Sequence, residues 1–200
     1  RDDMHAEIAL PFLKIGIPVF IDKPLTLDEE ELNSFIPYLK NGTLMSTSCM
    51  RFARELDSVR SDLSEILPVQ LISATVLNEL DRYGIHMIDA IDSLGLLSVN
   101  KVKRLDVNYD SFHLQSENGP EILLNCLGEV SKTFHLSIFG KKGHIHADLH
   151  DNFNAFKRTL GYFFKMVDDK IPPIEPEKVI RIMNLIRESK NLKPNCSIKL

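Results

Sequence analysis

The sequence predicts the tail of a doubly wound α/β unit followed by a larger α+β domain built on one open, mostly antiparallel sheet, and three observations predict it. The first forty residues read helix, strand, helix around the apolar run "PVFI", the form of a parallel strand covered on both faces. Between Lys101 and Leu149 lie five strand-like segments punctuated by glycine turns, a pattern that folds as an antiparallel sheet. The remainder closes with two helical stretches around the breaker "KIPPIEP". The expected division is residues 1–42 and residues 43–200.

Taken in order, residues 3–14 carry Ala6, Ile8, Ala9, Leu10, Phe12 and Leu13 at spacings that suit a helix despite Pro11, and Gly16 is a natural stop. After the strand, Thr26 and Glu29 stand at capping-box spacing, and the acids of "DEEE" suit the positive end of a second helix. "GTLMSTSCMRF" reads as a strand, "ARELDSVRSDLSEIL" as a helix and "VQLISATV" as a strand. "DRYGIHMIDAIDSLGL" returns to helical period, with Met87, Ile88, Ile91 and Leu94 as its apolar stripe. "KVKRLDVNYD", "FHLQSE", "EILLNCLG", "TFHLSIFG" and "HIHADLH" are the five sheet segments. In the last part Phe153, Phe156, Leu160, Phe163 and Phe164 form the expected inner stripe of one helix, and Pro176 is the favoured first residue of the next.

Composition narrows the function. With 44% hydrophobic and 26% charged residues among 200, the chain has apolar material for one good core or two modest ones. A formal net charge of -4, with scattered lysines and arginines, leaves no footprint for nucleic acid. No apolar window approaches the ~18 residues of a membrane span, and no signal-peptide pattern is present. A soluble, cytoplasmic protein is expected. The three cysteines, Cys49, Cys126 and Cys196, have no metal-ligand spacing and read as reduced, mostly buried thiols. The opening "RDDMHAEIALPFLKIG" already looks like the middle of an α/β unit, so an N-terminal part is expected to be missing.

Few residues invite chemistry. Lys23 follows a buried strand and precedes a helix, which in a doubly wound domain is the carboxyl edge where ligands bind, and Pro24 biases its backbone toward an extended form. The structural alternative is a surface lysine paired with Asp22 or a glutamate of "DEEE". His86 lies off the apolar stripe of its helix, on the face of Asp89, Ala90 and Ser93, directed at water or at a cleft. It is either a general acid/base or a structural histidine bonded to Asp89. "GHIHADLH" places His144 and His146 on one strand face with His150 beyond, but no acid or cysteine completes a zinc set, so no metal is expected. His113 and His135 sit in plain alternating patterns. No GxGxxG, Walker loop, GxSxG or CxxC occurs.

The order of these parts resembles the family of glucose-fructose oxidoreductase, inositol dehydrogenase and related NAD(P)-dependent sugar dehydrogenases (Gfo/Idh/MocA). "MHAEIALPFLKIGIPVFIDKPLTLDEEE" resembles that family's histidine, helix, strand and Glu-Lys-Pro segment, with Asp22-Lys23-Pro24 at the motif. "YGIHMIDAIDSLG" resembles its G-x-H helix, "FGKKGHIHADL" its G-x-x-G strand turn and "PPIEPEKVIRIMNLI" its closing helix. The resemblance implies a remnant of a Rossmann domain whose first βαβ unit is missing, followed by a substrate-binding and oligomerisation domain.

It also implies roles. Lys23 and His86 would be catalytic, the lysine between nicotinamide and substrate and the histidine as general acid/base. Asp22, Lys23, Pro24 and His5 would border the cofactor, NAD or NADP, and Arg51, Tyr83 and Asp89 the substrate, a sugar, cyclitol or related polyol. The open sheet would be a surface for homo-oligomers, and neither nucleic acid nor membrane is implied. Arg82 departs from the family, which commonly carries an aspartate there. The implied activity is hydride transfer between nicotinamide and the polyol. The alternative is a catalytically inactive sugar-binding or dimerisation module of the same fold.

Overall fold

The computed structural model describes residues 4–200. Asp3, at the expected start of the first helix, lies outside them. α1 (His5–Lys14) buries Ala6, Ala9 and Leu13 and stops where Gly16 takes a φ of +81°. That left-handed conformation is open to glycine and costly for a residue with a side chain. β1 (Val19–Asp22) follows, and then α2 (Glu29–Lys40).

The cap of α2 differs from the expected one. Asp28, not Thr26, is the N-cap, accepting from the Glu31 backbone N–H at 2.9 Å. Thr26 precedes it, donating from Oγ1 to Glu31 Oε2 at 2.6 Å and accepting from the Asp28 N–H at 3.1 Å. The helix therefore begins two residues late, with Glu29, Glu30 and Glu31 filling the first turn.

β2 (Leu44–Thr47) is buried throughout and pairs in parallel with β1, Val19 against Leu44 to Asp22 against Thr47. The first sheet thus continues past residue 42. The expected strand is cut short, because at Ser48 the chain turns into a 3-10 turn, Cys49–Phe52, capped by the serine itself.

The rest of the chain comprises α3 (Glu55–Ile66), β3 (Val69–Val76), a π-helical turn (Leu80–Gly84), α4 (Ile85–Ser93) and the strands β4 (Lys101–Arg104), β5 (Asp110–Gln115), β6 (Glu121–Cys126), β7 (Phe134–Gly140) and β8 (Gly143–Asp148). α5 (Asn152–Asp169), α6 (Pro176–Lys190) and β9 (Ser197–Lys199) end it. β3 to β9 form one seven-stranded sheet in the order β8-β7-β3-β6-β5-β4-β9. All its pairs are antiparallel except β3 with β6. Ile72, Ala74 and Val76 of β3, Ile122 and Leu124 of β6 and Leu136 and Ile138 of β7 are buried on one face, where α4 and α6 pack. Alternate residues such as Leu71, Ser73 and Leu123 stay half-exposed on the other.

The phenylalanine stripe of α5 is corrected by the structure. Phe153 is 77% and Phe164 60% exposed, and the inner stripe is Ala155, Thr159 and Met166, laid against the Cys49–Phe52 turn. Small residues let the helix come close to that turn, and the bulk of phenylalanine does not fit there. Phe156 and Phe163 flank the contact and meet the Phe20 ring, with centroids 6.1 and 6.0 Å away. The cysteines also divide: Cys126 is buried, Cys49 half-buried and Cys196 exposed, and all three are free thiols. Among the described residues no helix is long and apolar enough to cross a membrane.

Candidate functional site

Lys23 leaves the carboxyl end of β1, joined to Pro24 by a cis peptide bond. Its ammonium donates a hydrogen bond to the Arg82 carbonyl and stands 5.3 Å from the centre of the Tyr83 ring. The π-helical turn presents both groups. A Cβ on Gly84 would lie 2.8 Å from Leu80 Cδ1 and 3.1 Å from Cys126 Sγ, so glycine is what lets this wide turn press against β6. Burial pulls the Lys23 ammonium below the usual lysine range, and the charge of Arg82 adds to it. Asp22, Cys49 and Asp81 oppose the shift without cancelling it.

His86 opens α4 on the far side of the same tyrosine. Its ring meets Tyr83 and Phe134 edge-on, with centroids 5.7 and 5.4 Å away. Burial pushes the imidazole down from 6.5 to about 3, helped by the positive charge of Lys23, so the ring is neutral at ordinary pH. Its partner is Ser48, whose Oγ lies 2.6 Å from Nδ1; the alternative bond to Asp89 is not made. Nε2 has no hydrogen-bond partner among the described residues.

Arg51 and Asp89 were expected at the substrate, and the structure turns them inward. Asp89 accepts from Thr47 Oγ1 at 2.7 Å, from the Ser48 N–H at 2.6 Å and from Arg51 Nε at 2.7 Å. Arg51 also reaches Asp92 at 2.5 Å, and Asp92 accepts from Arg181 at 2.7 Å. Burial works against the Arg51 charge, but Asp89 and Asp92 outweigh it and hold the guanidinium pKa above its usual value. This face of α4, expected to look toward water or a cleft, is instead the scaffold that fixes the end of β2 beneath Lys23 and His86. Tyr83 remains between the two candidates. His5 donates to or accepts from nothing in the cleft; its Nδ1 is 2.9 Å from the Leu25 carbonyl oxygen and ties α1 to the segment after Pro24. Asp22 is exposed at the strand end.

Ser48 is the residue that sequence reasoning missed. Its only signal is its position, a small hydroxyl residue at the end of a strand with cap spacing to Met50. His144 and His146 do share the exposed face of β8, beside His135 and Ser137. No group of three metal-ligating side chains occurs among the described residues.

The residues fit one end of a nicotinamide dinucleotide better than the other. A cationic lysine, a tyrosine ring and an unpaired imidazole nitrogen at a strand's carboxyl end suit the reacting end and a hydroxylated substrate. The nearby N-terminus of α2 carries Asp28, Glu29, Glu30 and Glu31, which repel a pyrophosphate.

No protein-family model matches the sequence. No curated protein matches it either. Solved structures do. Myo-inositol dehydrogenase from Corynebacterium glutamicum superposes with a TM-score of 0.80 at 15% identity, over 100% of this chain and 78% of that one. Myo-inositol 2-dehydrogenase from Lactobacillus plantarum gives 0.81 at 13%, over 98% and 77%. Myo-inositol dehydrogenase from Lactobacillus casei, in complex with NAD(H) and myo-inositol, gives 0.78 at 12%, over 100% and 75%. At these identities the likeness is one of fold: the chain has the α/β fold with a large mixed sheet that these dehydrogenases have, as the resemblance implied.

Proposed function

We propose that this chain forms the substrate side of a Gfo/Idh/MocA-type oxidoreductase that moves hydride between NAD or NADP and a sugar, cyclitol or related polyol. The observation that carries the reading is the convergence of Lys23 and His86 on the Tyr83 ring at the carboxyl end of β1. The nicotinamide, when bound, takes up or gives the hydride. Lys23 holds positive charge where an alkoxide develops, and His86 meets the substrate oxygen in the position that the resemblance assigns to a general acid/base. Asp22, Lys23 and Pro24 border the cofactor, and His5 keeps that border in place. Arg51 and Asp89 support the substrate surface from below, and Tyr83 forms part of it. The division into a dinucleotide-side unit and a substrate-side unit is kept, with the boundary placed after Thr47 because β2 completes the sheet of β1. The uncovered face of the seven-stranded sheet is taken as a surface for a second copy.

Titration with NADH and with NADPH, followed by nicotinamide fluorescence, tests the reading. Saturable micromolar binding is expected of a working cofactor site, and a difference between the two cofactors names the preferred one. No binding at millimolar cofactor favours the second reading, an inactive sugar-binding or dimerisation module. The acidic N-terminus of α2 is the observation that speaks for it.

A further inference from the structure

Ser48 has no exposed surface at all, so its hydroxyl must satisfy itself within the protein. The Met50 backbone N–H donates to Oγ at 3.0 Å, as at any serine cap, and takes one oxygen lone pair. The hydroxyl proton still needs an acceptor. Among the described residues the one remaining polar atom in reach is His86 Nδ1, at 2.6 Å. Were Nδ1 to carry a proton and donate it instead, Oγ would accept twice and its own proton would be buried without a partner. The hydroxyl therefore donates to Nδ1. A neutral imidazole that accepts at Nδ1 carries its proton on Nε2, the nitrogen left without a partner among the described residues. The ring has little freedom to turn, since Tyr83 and Phe134 hold it edge-on.

We propose that Ser48 is a positioning residue that locks His86 as the neutral Nε2–H tautomer, so that His86 meets the substrate oxygen as a hydrogen-bond donor and not as the acceptor of its proton. The inference rests on the oxidoreductase reading for the word substrate, but the tautomer itself does not. In the direction of carbonyl reduction, the Nε2–H steadies the oxygen as it gains negative charge, and the Lys23 ammonium supplies the proton: an N–H bond breaks, the O–H bond forms and the amine is left neutral. Lys23, already drawn below the usual lysine range by burial, is suited to that exchange.

The test needs no activity. The chain is labelled with 15N-histidine, and long-range proton–nitrogen correlations are recorded near pH 7, with the His86 signals assigned from their loss in His86→Gln. Expected are an unprotonated, pyridine-like Nδ1 and a protonated, pyrrole-like Nε2. Ser48→Ala should lose this single-tautomer pattern while the remaining histidine signals persist, and Ser48→Thr, which keeps the hydroxyl, should restore it. A pyrrole-like Nδ1 in the unsubstituted chain overturns the proposal, as does a His86 pattern unaltered in Ser48→Ala. Should Ser48→Ala fail to fold, Ser48→Cys, with a poorer donor of similar size, is read in its place by the same criterion. Failure of the oxidoreductase reading would appear in the cofactor titration and leave this spectrum as it is.

Discussion

Lys23 and His86 share one aromatic ring but face different electrostatic problems. The lysine keeps its charge at a cost set by burial, and that charge is what an alkoxide would need. On the proposed oxidoreductase reading, Lys23→Ala should lower turnover with cofactor by ~10² or more with the circular-dichroism spectrum retained; an undiminished rate in a folded variant would remove the role. The histidine gives up its charge altogether. Its folded value, about 3, lies below the ordinary 6.5, so between those pH values the unfolded chain binds a proton that the folded chain refuses. Stability is thus unaffected above pH 6.5 and falls as pH drops below it, by about 1.4 kcal/mol per unit from this group. Urea denaturation at pH 7 and pH 5 should show an acid loss about 2 kcal/mol smaller in His86→Gln than in the unsubstituted chain. Equal losses would mean that the imidazole is not held neutral. Both residues were legible in the sequence because each sits at a motif with a mechanism. Ser48 was not, since a serine after a strand is common and its partner lies on another element, 38 positions away.

Among the elements, the short turn at Cys49–Phe52 matters more than its length suggests. Arg51, on that turn, is buried between Asp89 and Asp92 of α4, and the same aspartates reach the end of β2 and α6. Arg51→Ala leaves two carboxylates buried beside each other with Arg181 as the remaining cation. It should cost about 3–5 kcal/mol in urea denaturation. A loss under 1 kcal/mol would show that water fills the gap. α5 offers the opposite case. Its phenylalanines suggested the inner stripe because bulk and apolarity were read as burial, yet close packing against the turn selects Ala155 and Thr159. Phe153→Ser should then change stability by no more than about 0.5 kcal/mol, whereas a core phenylalanine would cost about 3–5 kcal/mol. The shifted cap of α2 has the same origin: Thr26 and Glu29 have the right spacing, but Asp28 and Glu31 repeat it, and the chain after Pro24 brings the second pair to the helix start. Sequence spacing identifies which caps are available, and the tertiary path chooses between them.

At the scale of the molecule, the two-part order of elements and the largely antiparallel sheet were legible because strand and helix periods differ so plainly between Lys101 and Leu149 and the segments around it. The insertion of β3 between β6 and β7, with one parallel pair, was not, because pairing across a crossover leaves no mark on local alternation. Nor was β9, a three-residue strand held by its register to β4. What the sheet leaves open is its outer face. Seven strands at ~4.8 Å spacing and ~20 Å length present roughly 600 Å². Two such faces stacked would bury about 1,200 Å², the lower end of what a specific interface needs. Leu71, Leu123 and Phe139 stand near its middle, Leu71 directly across from Phe139, while Lys101, Lys103 and Lys199 line one edge and His144, His146 and Asp148 the other. A twofold axis parallel to the strands brings the lysine edge of one copy over the histidine edge of the next. Asp148 on that edge then meets lysines of opposite charge. Sedimentation of the chain at tens of micromolar should show a dimer at pH 7.5, and Leu123→Lys should give a monomer without loss of fold. A dimer that survives Leu123→Lys would place the contact elsewhere, and a monomer at pH 7.5 would leave the face without a second copy to cover it.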